Sequence, residues 1–464
     1  GIDELDIQSV ELLPGAASAL YGANAFKGIL FMNSKDPFDF QGFSAYVKSG
    51  VTSQDSAGDN LYYDFGMRFS HAWNNKFAVK ATVSYVEGED WHATDYRDMN
   101  YLQGRSIPGS YLPADPSTFP DYNGINVYGE VGQTFNMTDV FRGVVLPALV
   151  GNGTITAGQA GLANTILGTF SPNYFGTQTI NSTGYKEVDL TDNKASSFKI
   201  DVAAHYRIDG DSELIFNSKI GSGNTVLHAT NRNMLKNFML QQHKVEYRSP
   251  KLTVRAYTSV EDSGNTHDMS ALGARIANAQ PGGIAGWFGT YLNAYFGRIF
   301  GQFDPYPLQG FAKVLNTAAA GWDMNRALKY YGAYDLDYPV HVAARNAADA
   351  NMLAPGSQAF KTAYLNSTTT PIANGGAAII DNSKSNSFEF NYNLGDLVPS
   401  FDLIVGAQYR DYILRSGGSL FTDYDAPIKF NELGVYTQVQ KDLFDGALKL
   451  TGSMRYDKSE YFDG

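Results

Sequence analysis

The chain has no cysteine. That removes disulfide scaffolds, cysteine–zinc sites and thiol nucleophiles together, and leaves the redox compartment open. Charge is scarce: Asp, Glu, Lys and Arg make up 18 % of 464 residues, below the usual quarter. Basic residues are the scarcer sign, 35 Lys and Arg against 47 Asp and Glu, and a net charge of −12 argues against nucleic acid as the main partner. With 17 prolines to 47 glycines, the chain is neither collagen-like nor a low-complexity linker. It has no apolar run of roughly 18 residues, which excludes a transmembrane helix. A transmembrane barrel stays open, because alternating strands keep mean hydropathy low, and here it is −0.26. The first residues, GIDELDIQSV, are acidic and lack a signal-peptide pattern, so a mature or truncated form is expected.

Aromatics are abundant, with Tyr 30 and Phe 29, and many fall on one side of a two-residue alternation. Leu61, Tyr63, Phe65, Met67 and Phe69 share a face opposite Tyr62, Asp64, Gly66 and Arg68. Phe77 to Tyr85, Phe198 to Tyr206, Leu252 to Val260, Phe388 to Leu394, Phe401 to Tyr409 and Leu448 to Tyr456 repeat the pattern. Weaker strands are expected near 42–51, 212–221, 237–248 and 430–442, with a phase slip around Phe238 to Tyr247 that reads as a bulge or a late start. This makes about eleven strands of the length a tilted membrane crossing needs. Short turns near Ala72–Asn75, Asp209–Asp211, Ser249–Pro250, Gly395–Pro399 and Asp445–Gly446 alternate with longer connectors at 52–59, 88–195, 222–236, 262–384 and 415–429. The expected fold class is all-β: an antiparallel transmembrane β-barrel of up-and-down topology, with long, partly helical extracellular loops.

Three aromatic pairs support membrane crossing. Phe77 and Tyr85, Phe198 and Tyr206, and Phe401 and Tyr409 each lie eight residues apart on the apolar face. Eight residues span about 26 Å along a strand, or roughly 20 Å after tilt, close to the separation of two lipid-facing aromatic girdles. The opposite faces mix Arg68, Lys80, Lys199, Arg207, Arg255, Arg410 and Arg455 with Asp64, Asp201, Glu389, Asp402 and Asp457, as a wet lumen would. An odd count leaves two strand edges that hydrocarbon does not tolerate, so either a strand is overlooked or about half a barrel is missing. The tail, ending directly after a strand, favours the second.

Residues 10–32, VELLPGAASALYGANAFKGILFM, read as a short apolar strand, a Pro-Gly turn, a small-residue segment and another strand. Val10, Glu11, Pro14, Gly15, Ser18, Ala19, Leu20, Tyr21, Gly22, Ala25 and Gly28 resemble the closing motif of the plug domain in TonB-dependent outer-membrane transporters. Leu13 departs from it, standing where the family often has a basic residue. The long helix-bearing loops are similar to those of the SusC-like branch of Bacteroidota. The resemblance implies a 22-stranded barrel filled by an N-terminal plug, with residues 1–38 closing the plug and 39–464 forming the first half of the barrel. It implies an outer-membrane location in a Gram-negative bacterium and TonB as energy-coupling partner, through a segment not present in these residues. It also implies lipid contact and a possible SusD-like surface lipoprotein partner. Glu11, by its place in the motif, is expected to be buried against a lumen arginine.

Helical patches are expected near 139–150, 156–167, 284–300, 311–331 and 340–350. Trp91, Trp287, Tyr291, Tyr295 and Trp322 are candidate ligand or partner contacts, since ring faces suit sugars and peptide side chains. The alternative is that such aromatics pack the loops into a small core of their own. Glu87, Glu89, Asp90, Asp95 and Asp98 lack calcium-loop spacing and read as a solvated rim. The seven histidines form no zinc motif, and no nucleophile elbow or nucleotide loop occurs, so no metal, cofactor or enzyme activity is expected. Three functions remain: an importer of a peptide, glycan or chelate; a non-transporting barrel scaffold that docks surface lipoproteins; and a soluble all-β adhesin, which fails if the apolar strand faces contact lipid.

Overall fold

Alternation of apolar and polar residues produces one dominant sheet. In the computed structural model, which describes residues 3–14, 27–99, 120–153, 155–165, 167–168, 176–228, 232–301, 338–395, 401–444 and 447–461, two compact units form. The first gathers Gly1–Trp91, Asn193–Asp268 and Thr368–Gly464; the second gathers His92–Asp192 and Met269–Ser367.

The first unit opens with a hairpin of β1 (Ile7–Pro14) and β2 (Gly28–Ser34). Its wall contains β3 (Gly42–Gln54), β4 (Gly58–Trp73), β5 (Phe77–Glu89), β6 (Lys194–Arg207), β7 (Glu213–His228) and β8 (Arg232–Arg248). It continues through β9 (Leu252–Asp262), β10 (Lys384–Asn393), β11 (Asp402–Leu414), β12 (Ile428–Leu443) and β13 (Leu448–Ser459). Each wall strand pairs antiparallel with the next in chain order, and His267–Asp268 adds a two-residue pairing beside β8. These eleven strands correspond one for one with the alternating stretches of the sequence. The fold is therefore all-β, an up-and-down wall of the transmembrane-barrel type.

Several strands run past the alternation that reveals them. β3 and β4 leave only residues 55–57 between them, and β7 and β8 leave 229–231. The expected long connectors at 52–59 and 222–236 are thus mostly strand. Residues 52–54 are polar on both faces, and in the other pair Val226 with Leu227 and Met234 with Leu235 put apolar neighbours on opposite faces, so neither carries alternation while both complete the hydrogen-bond ladder. The phase slip read over residues 238–247 lies just after the actual irregularity: those residues pair in continuous register, and the shift falls between Leu235 and Phe238, opposite Gly223 and Thr225, with Asn237 at φ 55°. The turn after β4 is tight: Asn74 and Asn75 both have positive φ, and the Lys76 amide donates to the Trp73 carbonyl at 3.0 Å. That is the primed turn geometry that matches strand twist.

Burial along the wall is inverted. Arg68, Lys80, Asp201, His205, Glu213 and Glu246 are buried, while Phe65, Phe69, Val202, Phe216, Val245 and Phe388 are exposed. The register aligns the aromatics into rows. Phe65, Tyr85 and Phe198 are successive cross-strand partners, as are Trp73, Phe77 and Tyr206. Trp73 and Phe77 stack with ring centroids 5.6 Å apart. Of the candidate girdle residues, Phe77, Phe198, Tyr206, Phe401 and Tyr409 are exposed and Tyr85 is half-buried. On the polar face, Tyr62 lies over its partner Gly50 and Tyr46 over Gly66. A Cβ on Gly50 would stand 2.5 Å from Tyr62 Cε1, so glycine is what lets the ring lie flat on the wall.

The second unit has an ordinary core. A helical run Met137–Gly151, with a π-turn at Phe141–Val145, and helices Ala157–Thr165, Gly283–Gly301 and Tyr338–Asp349 fall where the helical patches were expected. The patch at 311–331 lies outside the described residues. Helices Met269–Asn278 and Gln358–Thr369 are additional. Gly129, at φ 88°, meets the Gly273 backbone so closely that neither position has room for a Cβ.

Candidate functional site

The polar face of the wall carries the concentrated chemistry. A helical turn at Glu4–Asp6 is capped by Asp3, whose carboxylate accepts the Leu5 amide at 2.9 Å. This turn sets the Asp6 side chain between two cations. Arg68 Nε donates to one carboxylate oxygen at 2.8 Å and Lys80 Nζ to the other at 2.7 Å. All three side chains are at least 96 % buried. Two cations and one carboxylate would leave excess positive charge, and backbone carbonyls soften it: Arg68 also donates to Phe40 O and Lys80 to Lys35 O, at 2.8 and 2.9 Å. Removing one member of such a buried group strands the others, at a cost of about 3–5 kcal/mol.

The same segment is bound elsewhere. Lys48 pairs with Glu4 at 2.7 Å, and Tyr46 donates to Asp64 at 2.9 Å and to Asp3 at 3.2 Å. The β1–β2 hairpin and the Lys35–Asp36 connector overhang the wall and enclose a cavity of about 610 Å³. Lys219, Lys244, Glu246 and Arg255 line it from the wall, and Gln8, Ser9 and Glu11 from the hairpin. A second hollow of about 860 Å³ lies further along the wall, where Gly88, Gly221 and Gly223 leave room beside Tyr62, Lys199 and Phe238. Many wall charges pair among themselves: Lys219 with Asp201 at 3.2 Å, Lys244 with Glu246 at 2.8 Å, Arg255 with Glu389 at 3.0 Å, and Arg455 with Asp457 at 2.7 Å.

Glu11 is corrected by this geometry. It is exposed, and its carboxylate accepts from Asn33 Nδ2 at 2.9 Å and Ser9 Oγ at 3.2 Å. It sits on the hairpin among short polar partners, and Asp6 is the acid that meets an arginine. Nothing in the sequence marks Asp6, because a single acid within an acidic run has no spacing to betray its depth. Of the other motif residues, Gly28 begins β2 as the cross-strand partner of Pro14, while Gly15, Ser18, Tyr21 and Gly22 lie outside the described residues.

The candidate loop contacts also divide. Trp287, Tyr291 and Tyr295 are 2 %, 0 % and 1 % exposed and form the core of the second unit with Phe141, Phe288 and Phe296. That corrects their reading as contacts: spacing by three and four on Gly283–Gly301 turns them into the unit's interior. Trp287 Nε1 donates to Asp349 at 2.8 Å, and Tyr291 shares a 2.6 Å hydrogen bond with His341. Trp322 lies outside the described residues. Trp91, in the first unit, is 50 % exposed and packs beside His228 and Arg232.

The acidic group is not a uniform rim. Asp90 accepts from Thr225 Oγ1 at 3.0 Å, Asp95 pairs with Arg97 at 2.6 Å, and Asp98 is fully buried and accepts the Asn123 amide at 3.2 Å. Within the second unit, burial pushes the Glu130 carboxyl up to about 8 and pulls the His341 imidazole down to about 4. Burial also raises Asp349 above the usual carboxylate range.

No protein-family model matches this chain, and none of the curated proteins does. Among solved structures it is similar to a mutant of the ferric enterobactin receptor PfeA of Pseudomonas aeruginosa, at 10 % identity and a TM-score of 0.44, over 98 % of this chain and 44 % of that one. It is also similar to the siderophore receptor PirA of the same organism (9 % identity, TM-score 0.44, over 100 % of this chain and 45 % of that one). A third is the FrpB iron transporter of Neisseria meningitidis (9 % identity, TM-score 0.42, over 98 % of this chain and 46 % of that one). The chain spans less than half the length of these receptors.

Proposed function

We propose that this chain is the plug-closing segment and the first half of the barrel of a TonB-dependent outer-membrane transporter. The protein would be a receptor and importer of a peptide, glycan or chelate, not an enzyme. The observation that carries this reading is the inverted wall with an ordered segment tied to its polar face. Rings and aliphatics point outward, where hydrocarbon would solvate them, and the buried Asp6 anchors the N-terminal turn to Arg68 and Lys80. A porin would leave that face to water, whereas a gated importer has to block it at rest.

The two aromatic rows would then mark the membrane interfaces, with TonB acting on a segment outside these residues. The resemblance of residues 10–28 to the plug-closing motif supports the family, and the long helix-bearing loops support the SusC-like branch of Bacteroidota with a SusD-like lipoprotein partner. The second reading is a barrel scaffold that docks surface lipoproteins without transport; the compact core of the second unit is compatible with it.

The test separates the two. Full-length protein is purified from native outer membranes, its co-purifying species are identified by mass spectrometry, and its crosslinking to the periplasmic domain of TonB is measured with and without them. Ligand-dependent crosslinking together with a bound small ligand supports import. Recovery of lipoproteins with no TonB crosslink overturns it in favour of the scaffold.

A further inference from the structure

Three donors from three separate pieces of the first unit converge on the polar face of the wall. His205, near the end of β6, and Glu213, the first residue of β7, approach to 2.8 Å between Nδ1 and Oε1. Asp36, on the connector between β2 and β3, completes the group: one ligand atom from each of the three lies within 4.8 Å of the others. His205 and Glu213 are buried and Asp36 is half-buried.

The spacing suits an ion. Two donors held at about 2.1 Å and at the tetrahedral angle stand about 3.4 Å apart, so the imidazole and Glu213, which share a hydrogen bond at 2.8 Å, need to open by only about 0.6 Å to chelate. Asp36, within 4.8 Å of both, then needs a shift of at most about 1.4 Å to take its place in a tetrahedral set. Its Oδ1 holds the Phe38 amide at 2.8 Å, which fixes the carboxylate's position on the connector. Glu213 is oriented from behind by Arg248, which donates to its other oxygen at 2.7 Å, as outer partners orient metal-binding carboxylates. Within the cluster itself two carboxylates face one guanidinium, that of Arg248, and the nearby Arg207 is laid over the Phe38 ring, while the adjoining cavity also carries Lys35, Lys80, Lys219, Lys244 and Arg255. The 610 Å³ cavity lined by Asp36 and His205 gives an ion a route in and space for water ligands.

Ligand chemistry narrows the ion. One imidazole with two carboxylates suits a borderline first-row divalent cation, and a soft monovalent ion would want sulfur. We propose that Asp36, His205 and Glu213 form a divalent transition-metal site, with Zn²⁺ as its reference ion, that staples the Lys35–Gln41 connector to the β6–β7 hairpin. The staple does not depend on what the barrel carries.

The test uses full-length protein in detergent, stripped with chelator and titrated with Zn²⁺ alone by calorimetry. One ion per chain is expected, with affinity falling by about tenfold or more in D36N and in H205A. Hydrogen exchange over Lys35–Gln41 should slow on adding Zn²⁺ in the wild type and not in D36N. Because Asp36 sits on a connector, D36N leaves the wall intact; heat-dependent migration on gels verifies that H205A is folded. Absence of Zn²⁺ uptake by the wild type, or equal uptake by both variants, would overturn the site and leave His205–Glu213–Arg248 as an ion network only.

Discussion

The wall and the loop unit are built from one chain with opposite rules. The wall hides Arg68, Lys80 and Asp6 and displays Phe65, Val202 and Phe216, whereas the loop unit hides Trp287, Tyr291 and Phe296 in a contiguous core. The same side chains thus serve as solvent-facing surface in one place and as filling in the other. Burial by itself therefore says little about which residues matter; what decides is the medium each face must satisfy. In water, apolar area is driven inward at roughly 25 cal/mol per Å², whereas in hydrocarbon that drive vanishes and unpaired polar groups become the expensive ones.

The largest expected effect breaks the core of the loop unit. Phe296→Ala removes a buried ring that packs on Phe141 at 5.8 Å between centroids, and should cost that unit about 3–5 kcal/mol. The readout is accelerated hydrogen exchange along Gly283–Gly301, with protection in β5 and β6 unchanged. Equal loss in both places would mean that the two regions do not differ as described. Next in size is a paired substitution on surface of both kinds. Val202 is 43 % exposed on the wall and Val144 is 65 % exposed in the loop unit. Val202→Arg should cost about 2–4 kcal/mol in folding into lipid vesicles, and Val144→Arg no more than about 0.5 kcal/mol. Comparable small costs would remove the membrane from the argument.

The wall was legible in the sequence because β4, β5, β6 and β11 alternate over most of their length, and alternation survives whichever face looks outward. Strand ends were not: residues 52–54 are polar throughout and 222–228 place Val226 and Leu227 side by side on opposite faces, so backbone pairing extends both strands with no alternation to mark it. The fate of Trp287, Tyr291 and Tyr295 was not legible either: a stripe at helical spacing is the same pattern whether it faces a ligand or a neighbouring helix. Helix Met269–Asn278 was missed although Leu272 and Ile276 sit four apart, because two glycine- and alanine-rich turns dilute the signal. At the site, Glu11 was the visible acid and Asp6 the working one, and only the third dimension brings Arg68 and Lys80 to the same carboxylate.

The smallest effect sharpens the comparison through pH. In the loop unit, Glu130 has a folded value of about 8, well above an ordinary carboxyl, so between roughly pH 4.5 and 8 the unfolded chain has released a proton that the folded one retains. Stability of that unit should fall as pH rises through this window. His341 works the other way: held neutral down to about 4, it binds its proton first in the unfolded chain, so stability falls as pH drops from about 6.5 to 4. The two slopes oppose each other, and removing one should unmask the other. Glu130→Gln should abolish the alkaline-side loss and leave only the acid-side one, measured as hydrogen-exchange protection in Gly283–Gly301 across pH. A profile unchanged by Glu130→Gln would place that carboxyl in contact with water, and the loop unit's interior would then be less dry than its aromatic core implies.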